Sequence, residues 1–144
     1  GMQTDVILSG RRLNDNMTKI IFNILKKNIS KRSKILQIGI SFKENVPDIR
    51  NSKAAELAKL FINNNYNIEI YDPVVNKLEV KDNYDINLSE LTGQYDGLII
   101  AVSHKFLKDN KNIIKFLKDK ANIFDITGKY KPFFSNDKFN YWSF

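Results

Sequence analysis

Near the start of the chain the apolar or small residues Val6, Gly10, Leu13, Met17, Ile20 and Ile24 alternate steps of four and three, with Ile7, Ile21 and Leu25 widening the stripe. That spacing predicts an amphipathic helix, one long helix reaching to about Asn28. Thr4 or Asp5 would cap its start, and Lys26, Lys27 and Lys31 suit the negative end of its dipole. From residue 34 the period changes. Residues 34–40 are mostly apolar, as expected of a central strand covered on both faces. After a polar stretch, Asn51 or Ser52 caps a helix with Ala54, Leu57, Ala58 and Phe61 on one face, ending in the turn-forming run Asn63, Asn64, Asn65. Residues 68–71 form a second strand, stopped by Asp72-Pro73, and residues 97–102 (GLIIAV) a third, strongly buried one. Residues 112–118 read as a helix with Ile113, Ile114 and Leu117 inward, and residues 122–126 as a last short strand. Between 74 and 95 the pattern suggests a short strand near residues 78–80 and a short helix at 88–91. The aromatic tail from Tyr130 is expected to wrap the surface.

Strand, helix, strand, twice over, is the pattern of a parallel sheet with helices on both faces. The expected fold is α/β, a Rossmann-like three-layer sandwich with a mainly parallel sheet, preceded by a long N-terminal helix. Such sheets bind ligands in the crevice beyond the carboxyl ends of their strands.

Composition narrows the chemistry. A chain of 144 residues with 42% hydrophobic positions makes about one domain with a real core. No apolar run approaches the ~18 residues of a membrane span, and the start GMQTDV lacks a secretory pattern, so a soluble, cytoplasmic protein is expected. Gly1 before Met2 resembles the remnant of a cleaved tag. Zero cysteines exclude disulfides, thiolate metal sites and thiol nucleophiles, and one histidine argues against a histidine-rich metal site. The net charge of +7 raises nucleic acid as a partner, but the lysines are spread over helix surfaces and loops and do not alternate with aromatics. A solvated surface suited to anionic ligands is the preferred reading.

The stretch from Ser41 to Asn51 is long for a strand-to-helix connection and rich in chemistry. A dinucleotide loop there would need glycines where backbone approaches a pyrophosphate, and only Gly39 is present. The loop instead offers Lys43 as a point charge for a sugar hydroxyl or carboxylate, Pro47 as a brace, and Arg50 as a paired-donor grip on a diphosphate. The alternative is an Asp48–Arg50 or Glu44–Lys43 surface pair with no ligand. Asp72 stands where a ribose-binding acid would, although an Asp-Pro turn accounts for it more simply. Ser103-His104 reaches the same edge, and a helix cap is its preferred role because no acid or nucleophile pattern completes a triad. Asp125, Thr127 and Lys129 face the same crevice by topology, or Thr127-Gly128 is simply a turn.

The segments SGRRLNDNM (9–17), GISFKENVPDIRNSK (39–53), IYDP (70–73), IIAVSHKFL (99–107) and FDITGKY (124–130) resemble, in order and over nearly the whole chain, the C-terminal part of the UDP-glucose/GDP-mannose dehydrogenase family. The first two look most like bacterial members acting on UDP-N-acetylhexosamines or their uronic-acid products for capsule or O-antigen synthesis. The resemblance implies an NAD-dependent UDP-sugar 6-dehydrogenase that oxidises the sugar C6 alcohol to a carboxylate through a cysteine upstream of this chain. By itself the fragment would be inactive. It further implies residues 1–30 as the end of a connecting, subunit-contacting helix and 31–144 as the nucleotide-sugar-binding domain, with a homodimer or higher homo-oligomer for the full-length enzyme. Implied partners are a UDP-sugar and the upstream NAD-binding and central domains, and NAD would be held mainly upstream. By position, Phe42 would present backbone groups to the sugar, Lys43 would bind sugar oxygens, and Arg50 would reach the NAD pyrophosphate. Many relatives carry a basic residue soon after the final-strand Asp, where this chain has Thr127, which leaves Lys129 as the substrate-binding candidate there. A stand-alone nucleotide-sugar-binding or regulatory module is the alternative function, followed by nucleic-acid binding.

Overall fold

Neighbouring residues of a strand point to opposite sides, so two apolar residues in succession require cover on both faces of a sheet. The structure, a computed structural model, meets that requirement; it describes residues 13, 14, 17–109, 111–134 and 136–144. Strands β1 (Lys34–Ile38), β2 (Asn67–Tyr71), β3 (Tyr95–Ile100), β4 (Leu117–Asp125) and β5 (Asn140–Ser143) form one sheet in the order β2-β1-β3-β4-β5. Every adjacent pair is parallel, with Ile35 opposite Ile68 and Gly97, and Gly97 opposite Asn122. The helices are α1 (Thr18–Lys26), α2 (Lys53–Asn63), α3 (Lys77–Tyr84), α4 (Lys111–Ile114) and α5 (Lys131–Phe134), with a 3-10 turn at Lys105–Lys108. This is the expected Rossmann-like α/β sandwich.

Ile35, Ile99 and Phe124 pack with Ile21 and Leu25 of α1 and Leu57 and Phe61 of α2. The intervening Leu36, Leu98 and Ile123 point the other way, into a core completed by Leu107, Ile113 and Phe134. Phe22 meets Phe61 edge to face at 4.8 Å, an arrangement that adds about 1 kcal/mol to simple area burial. Helix α2 forms as the sequence dictates: Ser52 Oγ accepts from the Ala55 N–H at 2.9 Å, the predicted apolar face is buried, and Asn65 takes a left-handed φ of 65° just past its end.

Four local expectations need correction. The first helix comprises nine residues from Thr18, and Leu13 and Asn14 lie outside it; the rest of the long helix read from the sequence falls on residues 1–12, 15 and 16, outside the described residues. Residues 77–84 form α3, not a strand, because Asn76 caps it through the Glu79 N–H at 3.0 Å. Val80 is its one buried residue and Leu78 is 75% exposed, so it carries no stripe for periodicity to detect, and residues 88–91 are not helical. The helix read at 112–118 is a single turn, since Leu117 already belongs to β4 opposite Tyr95. Finally, the tail supplies a fifth strand, with Tyr141 opposite Ile123 and the Trp142 ring stacked 6.3 Å from Phe124.

Candidate functional site

The carboxyl ends of β1, β2, β3 and β4 bring the loop from Ser41 to Asn51, Asp72, His104 and the turn from Asp125 to Tyr130 to one edge of the sheet. The chain leaves β1 through Gly39, whose φ is +98° and where an added Cβ would lie 2.5 Å from the Val102 Cβ. Glycine there serves close packing against the strand next door, which is a reason unrelated to phosphate. Ser52 Oγ, which caps α2, also donates to the Ile40 carbonyl at 2.6 Å. The first helix N-terminus after β1 is thus filled by a side chain of the protein, and no dinucleotide cradle is formed there.

Asp72 is buried. Its Oδ2 accepts from the N–H groups of Ile40 (2.8 Å) and Ser41 (3.3 Å) and from His104 Nε2 (2.9 Å), and its Oδ1 accepts from Val74 N–H (2.9 Å). Burial pushes its carboxyl up, but the His104 and backbone N–H donors outweigh burial and hold it below the usual carboxylate range. Its atoms are committed to fixing the start of the loop, which leaves no place for the ribose role. Asp125 behaves alike at the end of β4. Fully buried, it accepts from Thr127 Oγ1 (2.7 Å), the N–H groups of Gly128 (3.0 Å) and Tyr130 (2.8 Å), and the Tyr141 hydroxyl (2.6 Å). Thr127-Gly128 is therefore a turn, with Gly128 at φ 72°. Burial, followed by the charges of Asp125 and Glu44, pushes the Tyr130 hydroxyl up to about 12. Burial and the bond to Asp125 push Tyr141 higher still.

His104 was read as a helix cap, yet its side chain caps nothing and is completely buried. Nδ1 accepts the Asn45 backbone N–H at 2.9 Å, so the imidazole proton sits on Nε2 and is donated to Asp72. Ser41 Oγ lies 3.3 Å from the same Nε2 and gives its own proton to the Lys43 carbonyl at 2.7 Å. Serine, histidine and aspartate do meet, but at one nitrogen that already carries a proton, so His104 cannot serve Ser41 as a base. The sequence reading missed this node. The available signal was that the chain's single histidine and an Asp follow the two strands that flank β1.

The exposed residues of the edge include Phe42 and the cations Lys43, Arg50 and Lys129. Phe42 is 43% exposed, and its N–H is engaged by the Asp48 carbonyl at 2.6 Å. Lys43 is exposed, and its ammonium has no ion-pair partner among the described residues. Arg50, 86% exposed, forms the fork-on-fork surface pair with Asp48 that the sequence left open, Nε to Oδ1 at 3.1 Å and Nη2 to Oδ2 at 3.0 Å. The side-chain and backbone hydrogen bonds from Arg50 hold the Asp48 carboxyl at about 2. The two residues rim a groove of about 430 Å³ that Glu79 and Tyr84 of α3 close on the far side. Lys129 is exposed, with Nζ 3.4 Å from Ser103 Oγ. Tyr130 OH donates to the His104 carbonyl at 3.0 Å and joins the turn after β4 to the segment after β3. Among the described residues no helix is long and apolar enough to cross a membrane, and no His, Cys, Asp and Glu side chains gather as a metal site would.

Comparison with known proteins bears on the same edge. The chain is 38% identical over 136 residues to a UDP-N-acetyl-D-glucosamine 6-dehydrogenase of Salmonella typhi, covering 88% of this chain and 32% of that protein. It is 33% identical over 137 residues to Protein CapL of Staphylococcus aureus, covering 89% and 32%. It therefore spans about a third of the length of the curated relatives it matches. The UDP-N-acetyl-mannosamine dehydrogenase Cap5O from S. aureus shares the fold, with a TM-score of 0.69 at 24% identity over 90% of this chain and 31% of that one. The model of the UDP-glucose/GDP-mannose dehydrogenase family, UDP binding domain, matches residues 36–132, from β1 through the loop of Lys43 and Arg50 to the turn at Asp125 and the start of α5. With the match spanning most of the sheet and every segment of its ligand-facing edge, the chain belongs to that family, as its UDP binding domain.

Proposed function

We propose that this chain is the nucleotide-sugar-binding part of an NAD-dependent UDP-sugar 6-dehydrogenase, with residues 31–144 forming the binding domain and residues 1–30 the end of a connecting segment. The observation that carries the reading is Lys43: an exposed cation without an ion-pair partner among the described residues, at the ligand-binding edge of a UDP binding domain. In this reading Lys43 meets sugar oxygens as a point charge, the exposed Phe42 covers the sugar beside it, and Lys129 adds a second cation across the edge. Arg50 exchanges Asp48 for the pyrophosphate of a dinucleotide held by another domain, a swap that its exposure makes inexpensive. NAD supplies the hydride acceptor when bound, and the described residues form no glycine cradle for it after β1. The covalent step requires a cysteine, which this chain lacks. The relatives act on UDP-N-acetylglucosamine and UDP-N-acetylmannosamine, and an N-acetylhexosamine is the sugar proposed here, in the cytoplasm and in a homo-oligomer of the complete enzyme.

Calorimetric titration of the chain with UDP-N-acetylglucosamine, which carries the sugar oxygens assigned to Lys43, tests the reading. Lys43→Ala is expected to weaken binding about tenfold, the size of one charge-assisted contact, and to slow NADH formation at least about as much in the longer enzyme. Unchanged binding and turnover would remove Lys43 from the site.

A further inference from the structure

We propose that His104 is a positioning residue for Lys43, acting as a neutral imidazole that holds the loop on both sides of that lysine. The proposal rests on Lys43 as the UDP-sugar contact and adds what fixes its place. Two residues before the lysine, Ser41 lies against Nε2 and ties its hydroxyl to the Lys43 carbonyl; two residues after it, Asn45 gives its N–H to Nδ1. The clasp is reciprocal, because Asn45 Oδ1 accepts the Lys105 N–H at 2.7 Å, next to the histidine in sequence. Asn45 adopts φ 63°, a left-handed conformation that asparagine tolerates better than most residues, and so turns its N–H inward while its side chain lies at the surface. His104 is itself held in place: Asp72 takes the Nε2 proton, Phe106 stacks on the ring at 5.8 Å, Tyr130 holds the backbone carbonyl, and the side chain is fully buried. A flexible loop cation on a rigid strand end loses little further entropy on binding an anion, which is the benefit of such an anchor.

The two ring nitrogens do different work, and two amide substitutions separate them. His104→Asn places an amide oxygen near the position of Nδ1, keeping the acceptor for Asn45 and losing the reach to Asp72. His104→Gln keeps a donor toward Asp72 and loses that acceptor. We expect the Asn variant to retain Asn45 amide protection in hydrogen exchange and UDP-N-acetylglucosamine affinity within about threefold, and the Gln variant to lose about tenfold in both, the cost of leaving the Asn45 N–H without its acceptor. Retention of both properties by the Gln variant, or equal losses in the two variants, would overturn the proposal. An experiment free of folding defects uses the unsubstituted chain: the imidazole ¹⁵N spectrum is expected to show Nε2 protonated and Nδ1 accepting, and the opposite tautomer would likewise overturn it. Should the unsubstituted chain bind no UDP-N-acetylglucosamine, the reading of Lys43 fails, while Asn45 protection and the tautomer still decide the clasp.

Discussion

The two ends of the same parallel sheet treat charge in opposite ways. At the amino edge, Lys34 donates to Thr92 Oγ1 (2.9 Å) and the Gly93 carbonyl (2.6 Å) and lies 3.8 Å from Glu69. Glu69 takes the Tyr95 hydroxyl, and Asp96 accepts from the Lys34 N–H at 2.8 Å and pairs with Lys118 at 2.9 Å. Cations and anions there neutralise one another. At the carboxyl edge the acids Asp72 and Asp125 are buried and bonded to the protein's own backbone and hydroxyls, while Lys43, Arg50 and Lys129 remain exposed. Apart from the half-buried Glu44 and the surface pair of Asp48 with Arg50, separating the signs by depth leaves Lys43 and Lys129 as cations on an acid-braced frame. An edge built this way is suited to an anion, whereas the other edge closes the sheet.

The strongest challenge to this contrast is removal of a bracing acid. Asp125→Ala would strand the Tyr130 N–H and the Thr127 and Tyr141 hydroxyls that now converge on one buried carboxylate, and leave the Gly128 N–H only its longer bond to the Asp125 carbonyl. A loss of about 4 kcal/mol in urea unfolding is expected, in the range for leaving buried donors unpaired. A change below about 1 kcal/mol would show that the acid does not brace this edge.

Asp72 predicts a smaller effect with a definite sign. Its folded-state carboxyl is held below the ordinary value, against the upward push of burial, by His104 and by backbone N–H donors. A depressed carboxyl contributes stability above its unfolded value, near 4, and that contribution disappears as pH falls through the folded value. The urea midpoint should therefore drop below about pH 4, and Asp72→Asn should flatten that part of the curve. An equally steep acid limb in the variant would assign the effect to other carboxyl groups. Asp48, held at about 2, is about one-third exposed beside a largely exposed Arg50, and solvent screening leaves their pair little weight in folding.

The contrast also explains what could be read from the sequence. The strands β1, β2 and β3 and helix α2 were legible because continuous apolar runs, an Asp-Pro stop, a serine cap and an asparagine run state their positions locally. Helix α3 was not, because its single buried residue leaves only a side-chain cap to announce it. Strand β5 was hidden since four residues are too few to show alternation, and its place depends on pairing with β4. At the site, Phe42, Lys43 and Arg50 stood out as charge and bulk where a dinucleotide loop would have glycine. The pairing of Asp72 with His104 spans 32 residues, and no local pattern encodes which nitrogen of an imidazole will face a loop.

The smallest expected effect makes the sharpest test of the two edges, because it removes the same charge from each. Lys118 lies at the amino edge and pairs with Asp96 at 2.9 Å in a half-exposed setting, an interaction of about 0.5 kcal/mol in solvent. Lys118→Ala should leave UDP-N-acetylglucosamine affinity within about twofold, since a surface charge at the opposite end of the strands is screened over roughly 8–10 Å at moderate salt. Lys43→Ala lowers the net charge by the same unit, so a general electrostatic attraction of UDP to this basic chain predicts equal losses from the two substitutions. A site at the carboxyl edge predicts loss from Lys43→Ala alone, and raising ionic strength should narrow that difference only partly, because a close contact with an anion is less screened than a distant field.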